Sequence, residues 1–159
     1  MQDSLGIPVQ AVDTYAEACA DADLVCAATH SPDPVVCRDS LRPGAHVMSV
    51  GYNTAGRDVD SATVVDAMVV VESRDAVLAP PPAGSNDLRT PMHEGLIGPE
   101  HIDAEIGELL LGTRAGRTSP AQITLYNSVG IAAQDVAAAH LVLNAAPEQN
   151  IGLVVDLSA

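Results

Sequence analysis

The chain has 159 residues, 47% of them hydrophobic and 18% charged, which suits one domain with its own core, or one piece of a larger domain, and is short for two. Twenty-one acidic residues stand against seven arginines and no lysine, a formal net charge of −14 that repels phosphate backbones and anionic headgroups, so neither nucleic acid nor a membrane surface is an expected partner. No apolar run approaches the ~20 residues of a membrane helix, and the first residues lack the basic and apolar blocks of a signal peptide; a cytoplasmic location is the expectation.

Cys19, Cys26 and Cys37 are odd in number and have no CxxC spacing, so they read as small hydrophobic residues and no metal site is expected. Tyr15, Tyr52 and Tyr126 are the only aromatic residues, which leaves the core to Val, Leu, Ile and Ala and argues against base stacking.

In chain order, residues 7–13 alternate as a short strand would. Thr14 follows as a helix cap, with Glu17 as its capping-box partner and a small helix through Ala22. Residues 23–29 form a short continuous apolar run, the pattern of a parallel strand buried on both faces, and HSPDP at 30–34 breaks it. A turn at Arg42-Pro43-Gly44 leads to a second buried strand over 46–51, a short helix near 61–67 and a further strand over 68–72. Residues 79–87, rich in proline, read as a surface loop within one unit. Ile102, Ile106, Leu109 and Leu110 lie at helical spacing and predict a helix over 99–111. A strand over 123–126 and a helix from about 130 to 144 complete the chain.

Strands alternating with short helices predict an α/β fold, a mostly parallel sheet covered on both faces. Ligands of such sheets lie beyond the carboxyl ends of the strands, which places candidate site segments at 29–31, 49–53 and 127–130. On position alone, Gly51 and Gly130 equally read as turn residues, and Thr29 and Ser128 as helix caps.

The segments ADLVCAAT at 22–29, LRPGAHVMSVG at 41–51 and RDVD at 57–60 resemble the ornithine cyclodeaminase and mu-crystallin family in order and spacing. So do EIGEL at 105–109, GRTS at 116–119, ITLYNSVGI at 123–131 and QDVAAA at 134–139. The resemblance covers essentially the whole chain. It implies two-domain homodimers that bind NAD or NADP and move a hydride to or from a carbon bearing an amino or imino nitrogen, on a small amino or imino acid. By resemblance, Thr29, Ser49, Val50, Gly51 and Ser128 contact the cofactor on its nicotinamide side, and Val129 lies near the substrate. Ornithine cyclodeaminases carry a proton-transferring aspartate where this chain has Asn53, an amide that is neither carboxylate acid nor base; this shifts the expectation toward reductases or dehydrogenases. The alternative is that Asn53 is an ordinary turn residue.

The sequence contains no G-x-G-x-x-G, no residue that selects NAD over NADP after a second strand, and no counterpart of the family's substrate-binding lysine. The expected architecture is therefore an incomplete Rossmann-type sheet lacking its first β-α-β unit, with a C-terminal segment, about 130–159, that in the family packs toward the absent substrate domain. The strand read at 24–28 then has a bare edge, to be met by a rearranged sheet with 7–13 sliding in or by a complementing partner. By itself the chain is expected to be inactive. A non-catalytic dimerisation partner of a full-length relative and a relic fragment are the other readings. His93, Glu94 and His101 lack the spacing of helical zinc ligands, His30 reads as a turn residue, and Arg117 is expected to order its loop by bonding carbonyls or carboxylates.

Overall fold

The computed structural model describes residues 2–51, 53, 54 and 56–156. Tyr52, read as part of a site segment, and residues 157–159 of the C-terminal segment lie outside the described residues. The chain divides between Val129 and Gly130 into two units.

The first unit opens with α1 (Gln2–Leu5) and α2 (Tyr15–Cys19). At α2 the expected capping box forms: the Thr14 hydroxyl accepts from the Glu17 N–H while the Glu17 carboxylate accepts from the Thr14 N–H, each at 3.2 Å. The helix stops at Cys19, short of the expected Ala22. Next come β1 (Leu24–Ala27), β2 (His46–Val50), α3 (Ser61–Asp66), β3 (Met68–Val71), α4 (Arg74–Val77) and α5 (Asn86–His93). The unit ends with β4 (Ile102–Glu105), α6 (Ile106–Leu110) and β5 (Thr124–Ser128). The five strands are all parallel, in the order β1-β2-β5-β3-β4.

Strand β3, between β5 and β4, is buried along its whole length, and its alternation divides two layers of core. Val69 and Val71 join Val47, Val64, Val77, Leu88 and Leu125 in the larger cluster, whereas Met68 and Val70 pack with Ala104 under Ile106, Leu109 and Tyr126. Arg117 ties the loop before β5 to the start of β2, donating to the Gly44 carbonyl at 2.6 Å and to Thr124 Oγ1 at 3.0 Å, the carbonyl-bonding role read from the sequence.

Four local expectations are corrected. Residues 7–13 form no strand: Pro8 has no N–H for a ladder, and Ile7, Val9 and Val12 are all exposed, so the alternation has no buried face to serve. With nothing sliding in beside it, β1 is an edge strand rather than one buried on both faces, and Leu24 is 58% exposed. The helix expected over 99–111 is instead a 3-10 turn (Pro99–His101), strand β4 and the short α6. Ile102 and Ala104 alternate inward against β3, and Asp103 accepts from the Val69 N–H at 2.8 Å, so sheet pairing overrides helical spacing. The loop expected on the surface over 79–87 runs inward at its end, where Ser85 and Asp87 are buried and α5 begins.

The second unit holds α7 (Ala132–Gln149), longer than the helix read to Asn144 and closed by Asn150 in the left-handed conformation at φ 52°. None of its residues is buried. No helix among the described residues is long and apolar enough to cross a membrane.

Candidate functional site

Because β1, β2 and β5 are adjacent and parallel, their carboxyl ends open onto one edge of the sheet. Ser49 is level with Ala27 on one side and Asn127 on the other, and Val50 is level with Ser128. All seven residues singled out in the sequence, Thr29, Ser49, Val50, Gly51, Asn53, Ser128 and Val129, lie on that edge or in the loops leaving it.

Four of them, Thr29, Ser49, Gly51 and Asn53, line a single small cleft together with Asp58 and Asp87. Its volume is about 20 Å³, room for about one water-sized group. Val50, Ser128 and Val129 are not among the residues that line it. Ser128 is joined through its carbonyl, which accepts from the Gly51 N–H at 3.1 Å, and the Val129 N–H donates to Glu72 Oε1 at 2.7 Å.

The centre of the arrangement is the buried Asp87, which accepts four hydrogen bonds. Oδ2 accepts from Ser49 Oγ at 2.5 Å and from Asn127 Nδ2 at 2.9 Å; Oδ1 accepts from the N–H groups of Asp58 at 2.8 Å and Val59 at 3.0 Å. Burial pushes the Asp87 carboxyl above the ordinary carboxylate range; the bonds from Ser49 and the two amides pull it back, and the nearby Asp58 charge adds to the rise. Asp58 in turn accepts from Thr29, through Oγ1 at 2.6 Å and N–H at 3.2 Å, so one chain of carboxylates links the ends of β1 and β2 to α5.

Asn53 is a clamp between loops. Its Nδ2 donates to the Ser31 carbonyl at 2.8 Å and its Oδ1 accepts from the Gly56 N–H at 2.9 Å, while Asn86 Nδ2 holds the carbonyls of Asn53 and Gly56 at 2.8 and 3.0 Å.

Sequence reading missed Asp58, Asn86, Asp87 and Glu72 as site residues. Asp58 was in view as part of RDVD but had no role there, because only the fold brings its carboxylate to Thr29. The signal for Asp87 was an acidic residue in a helix's first turn after Ser85, hidden by the proline-rich stretch before it.

A parallel α/β sheet with polar side chains gathered beyond its carboxyl ends is the arrangement in which such domains bind their ligands. Solved structures that hold a nicotinamide cofactor resemble it. A Δ1-pyrroline-2-carboxylate reductase of Thermococcus litoralis, in complex with NADH and L-proline, superposes with a TM-score of 0.88 at 37% identity, over 97% of this chain and 47% of that one. An archaeal alanine dehydrogenase dimer with bound NAD gives 0.82 at 28% identity, over 98% and 47%. Among sequence relatives, a Δ1-pyrroline-2-carboxylate reductase of Bacillus cereus is 32% identical over 154 residues, 96% of this chain and 46% of its own length.

The chain belongs to the ornithine cyclodeaminase/mu-crystallin family, whose model matches residues 1–150. That family comprises NAD(P)-dependent reductases and cyclodeaminases, and this chain spans about half the length of the relatives it matches.

Proposed function

We propose that this chain is the part of an NAD(P)-dependent reductase of a small amino or imino acid that holds the nicotinamide end of the cofactor, and that it is inactive alone. The observation that carries this is the convergence of Thr29, Ser49, Gly51 and Asn53 on one cleft at the carboxyl edge. The likeness to a reductase solved with NADH and L-proline supports it.

The fit to a dinucleotide is partial. The hydroxyls of Thr29 and Ser49 and the backbone at Gly51 suit the amide-bearing end, whereas the sequence has no glycine turn to cradle a pyrophosphate. When bound, the cofactor supplies the hydride chemistry; the residues here orient its ring and border the substrate at Val129. Asn53, with its amide O and N both bonded to neighbouring loops, favours reduction over cyclodeamination, since nothing at that position accepts or releases a proton.

Isothermal titration with NADH and NADPH tests the reading. Measurable binding that weakens in Thr29→Val and Ser49→Ala is expected, and binding of neither nucleotide contradicts it.

A second reading, a dimerisation or complementing partner of a full-length relative, is favoured by the exposed edge β1 and by Val136, Leu141, Val142 and Leu143, each about two-thirds exposed or more on α7. Under it, light scattering would find a complex with the relative that Leu141→Asp or Leu143→Asp weakens.

A further inference from the structure

A second cavity lies at the end of the sheet opposite the candidate site. Strands β2, β5 and β3 begin level with one another, His46 beside Thr124 and Thr124 beside Met68, so their first residues meet at the amino edge. The smaller core layer does not close there. Met68 and Val70 from β3, with Ile106 and Leu109 from α6, line an open cavity of about 300 Å³. Small-molecule sites begin at about that size, and an unpacked apolar cavity gains from any apolar body that excludes water from it.

Gly116 and Arg117, both exposed, line the same cavity from the loop before β5. The Arg117 guanidinium donates to the Gly44 carbonyl, to Thr124 Oγ1 and, at 3.5 Å, to the Ala45 carbonyl, all of them neutral acceptors. That leaves Nε–H and one N–H of Nη1, and among the described residues no carboxylate forms an ion pair with Arg117. The acidic groups of α6 and its cap are committed elsewhere: Glu108 accepts from Arg74 Nη1 at 2.9 Å and Glu105 from the Arg74 N–H at 2.7 Å. His46 adds no charge at neutral pH, since burial and then the Arg117 charge hold its pKa below 6.5. One uncompensated cation beside an apolar cavity, in a chain of net charge −14, matches a single negative charge and repels a polyanion.

We infer that this cavity is a second ligand site, separate from the carboxyl edge, which takes a small monocarboxylate with an apolar body. The body lies against Met68, Val70, Ile106 and Leu109, and the carboxylate meets Arg117.

The test is an NMR titration of the whole chain with cyclohexanecarboxylate, and with cyclohexanecarboxamide as its uncharged counterpart. The acid is expected to shift the Met68 and Leu109 methyl signals and the Arg117 Nε–H, to bind with a dissociation constant of about a millimolar or lower, and to bind about fivefold or more tightly than the amide. Gly116→Leu fills the cavity from the loop. Gly116 is not in the left-handed region and a Cβ there meets nothing within 4 Å, so the variant is expected to keep the parent's melting temperature while binding the acid about tenfold more weakly. Arg117→Gln is expected to bring acid and amide to equal affinity. Should that variant fail to fold, raised ionic strength, which screens the ion pair and spares the apolar contact, narrows the same gap in the parent.

No shift at these signals, equal binding of acid and amide by the parent, or an acid bound by Gly116→Leu as tightly as by the parent would each overturn the inference. So would shifts confined to Thr29, Ser49 and Gly51, or displacement of the bound acid by NADH, since either result merges this site with the carboxyl edge.

Discussion

Ser49 and Asp87 are 38 residues apart in sequence and 2.5 Å apart between Oγ and Oδ2, which fastens the carboxyl end of β2 to the first turn of α5. Asp87 holds three further donors at the same point. Replacing it by alanine leaves Ser49, Asn127 and two backbone N–H groups without their acceptor, and a loss of about 3 kcal/mol or more in folding free energy is expected. Asp87→Asn, which still accepts the backbone bonds through its carbonyl, is expected to lose less. Urea unfolding followed by circular dichroism measures both; an Asp87→Ala midpoint equal to the parent's would contradict the network.

Asn53→Asp removes the amide that donates to the Ser31 carbonyl and sets a carboxylate oxygen against it. The clamp loosens on that side, and about 1–2 kcal/mol of stability is lost. Restoring the carboxylate that cyclodeaminases carry does not restore their proton transfer here, because the group is held between loops; an assay of ammonia release from ornithine is expected to remain at background.

At Gly56 an added Cβ would lie 2.0 Å from the Ser31 carbonyl oxygen and 2.5 Å from Pro32 Cα. Both are backbone atoms, so the loop has to move. Gly56→Ala is expected to cost about 2 kcal/mol, to displace Asn53 from Ser31 and to weaken NADH binding; a variant as stable as the parent with unaltered Asn53 side-chain NMR signals would show that the loop has slack.

His46, half-buried at the start of β2, has its pKa held below the ordinary 6.5, first by burial and then by the Arg117 charge, although its bond to Thr124 acts the other way. The folded state therefore takes up a proton less readily than the unfolded chain. Its contribution to stability is full above 6.5 and is lost as pH falls through that value toward the lower folded pKa. Melting temperatures recorded between about pH 7.5 and pH 5 should fall on the acid side, and His46→Gln should flatten that part of the curve.

The elements legible in the sequence are those whose signals are local. The capping box at Thr14 and Glu17, the strand read over 68–72, which forms at 68–71, and the strand read over 123–126, which forms at 124–128, each follow from neighbouring residues. What escaped depends on distant partners. Residues 7–13 alternate correctly but have no sheet face to fill. Residues 102–105 carry a helical pattern that the ladder with β3 overrides. Of the site, the strand-end residues could be placed because parallel sheets bind at their carboxyl edges, whereas Asp58 and Asp87 could not, since their meaning lies in bonds spanning 29 and 38 residues.

Thermal unfolding of the purified chain with and without NADH and NADPH tests the central claim most directly. A nucleotide at about 100 times its dissociation constant adds about 2.7 kcal/mol if it binds only the folded state, a rise of several degrees that Ser49→Ala should reduce. A folded chain whose melting temperature neither nucleotide moves would contradict the claim that this edge of the sheet holds the cofactor.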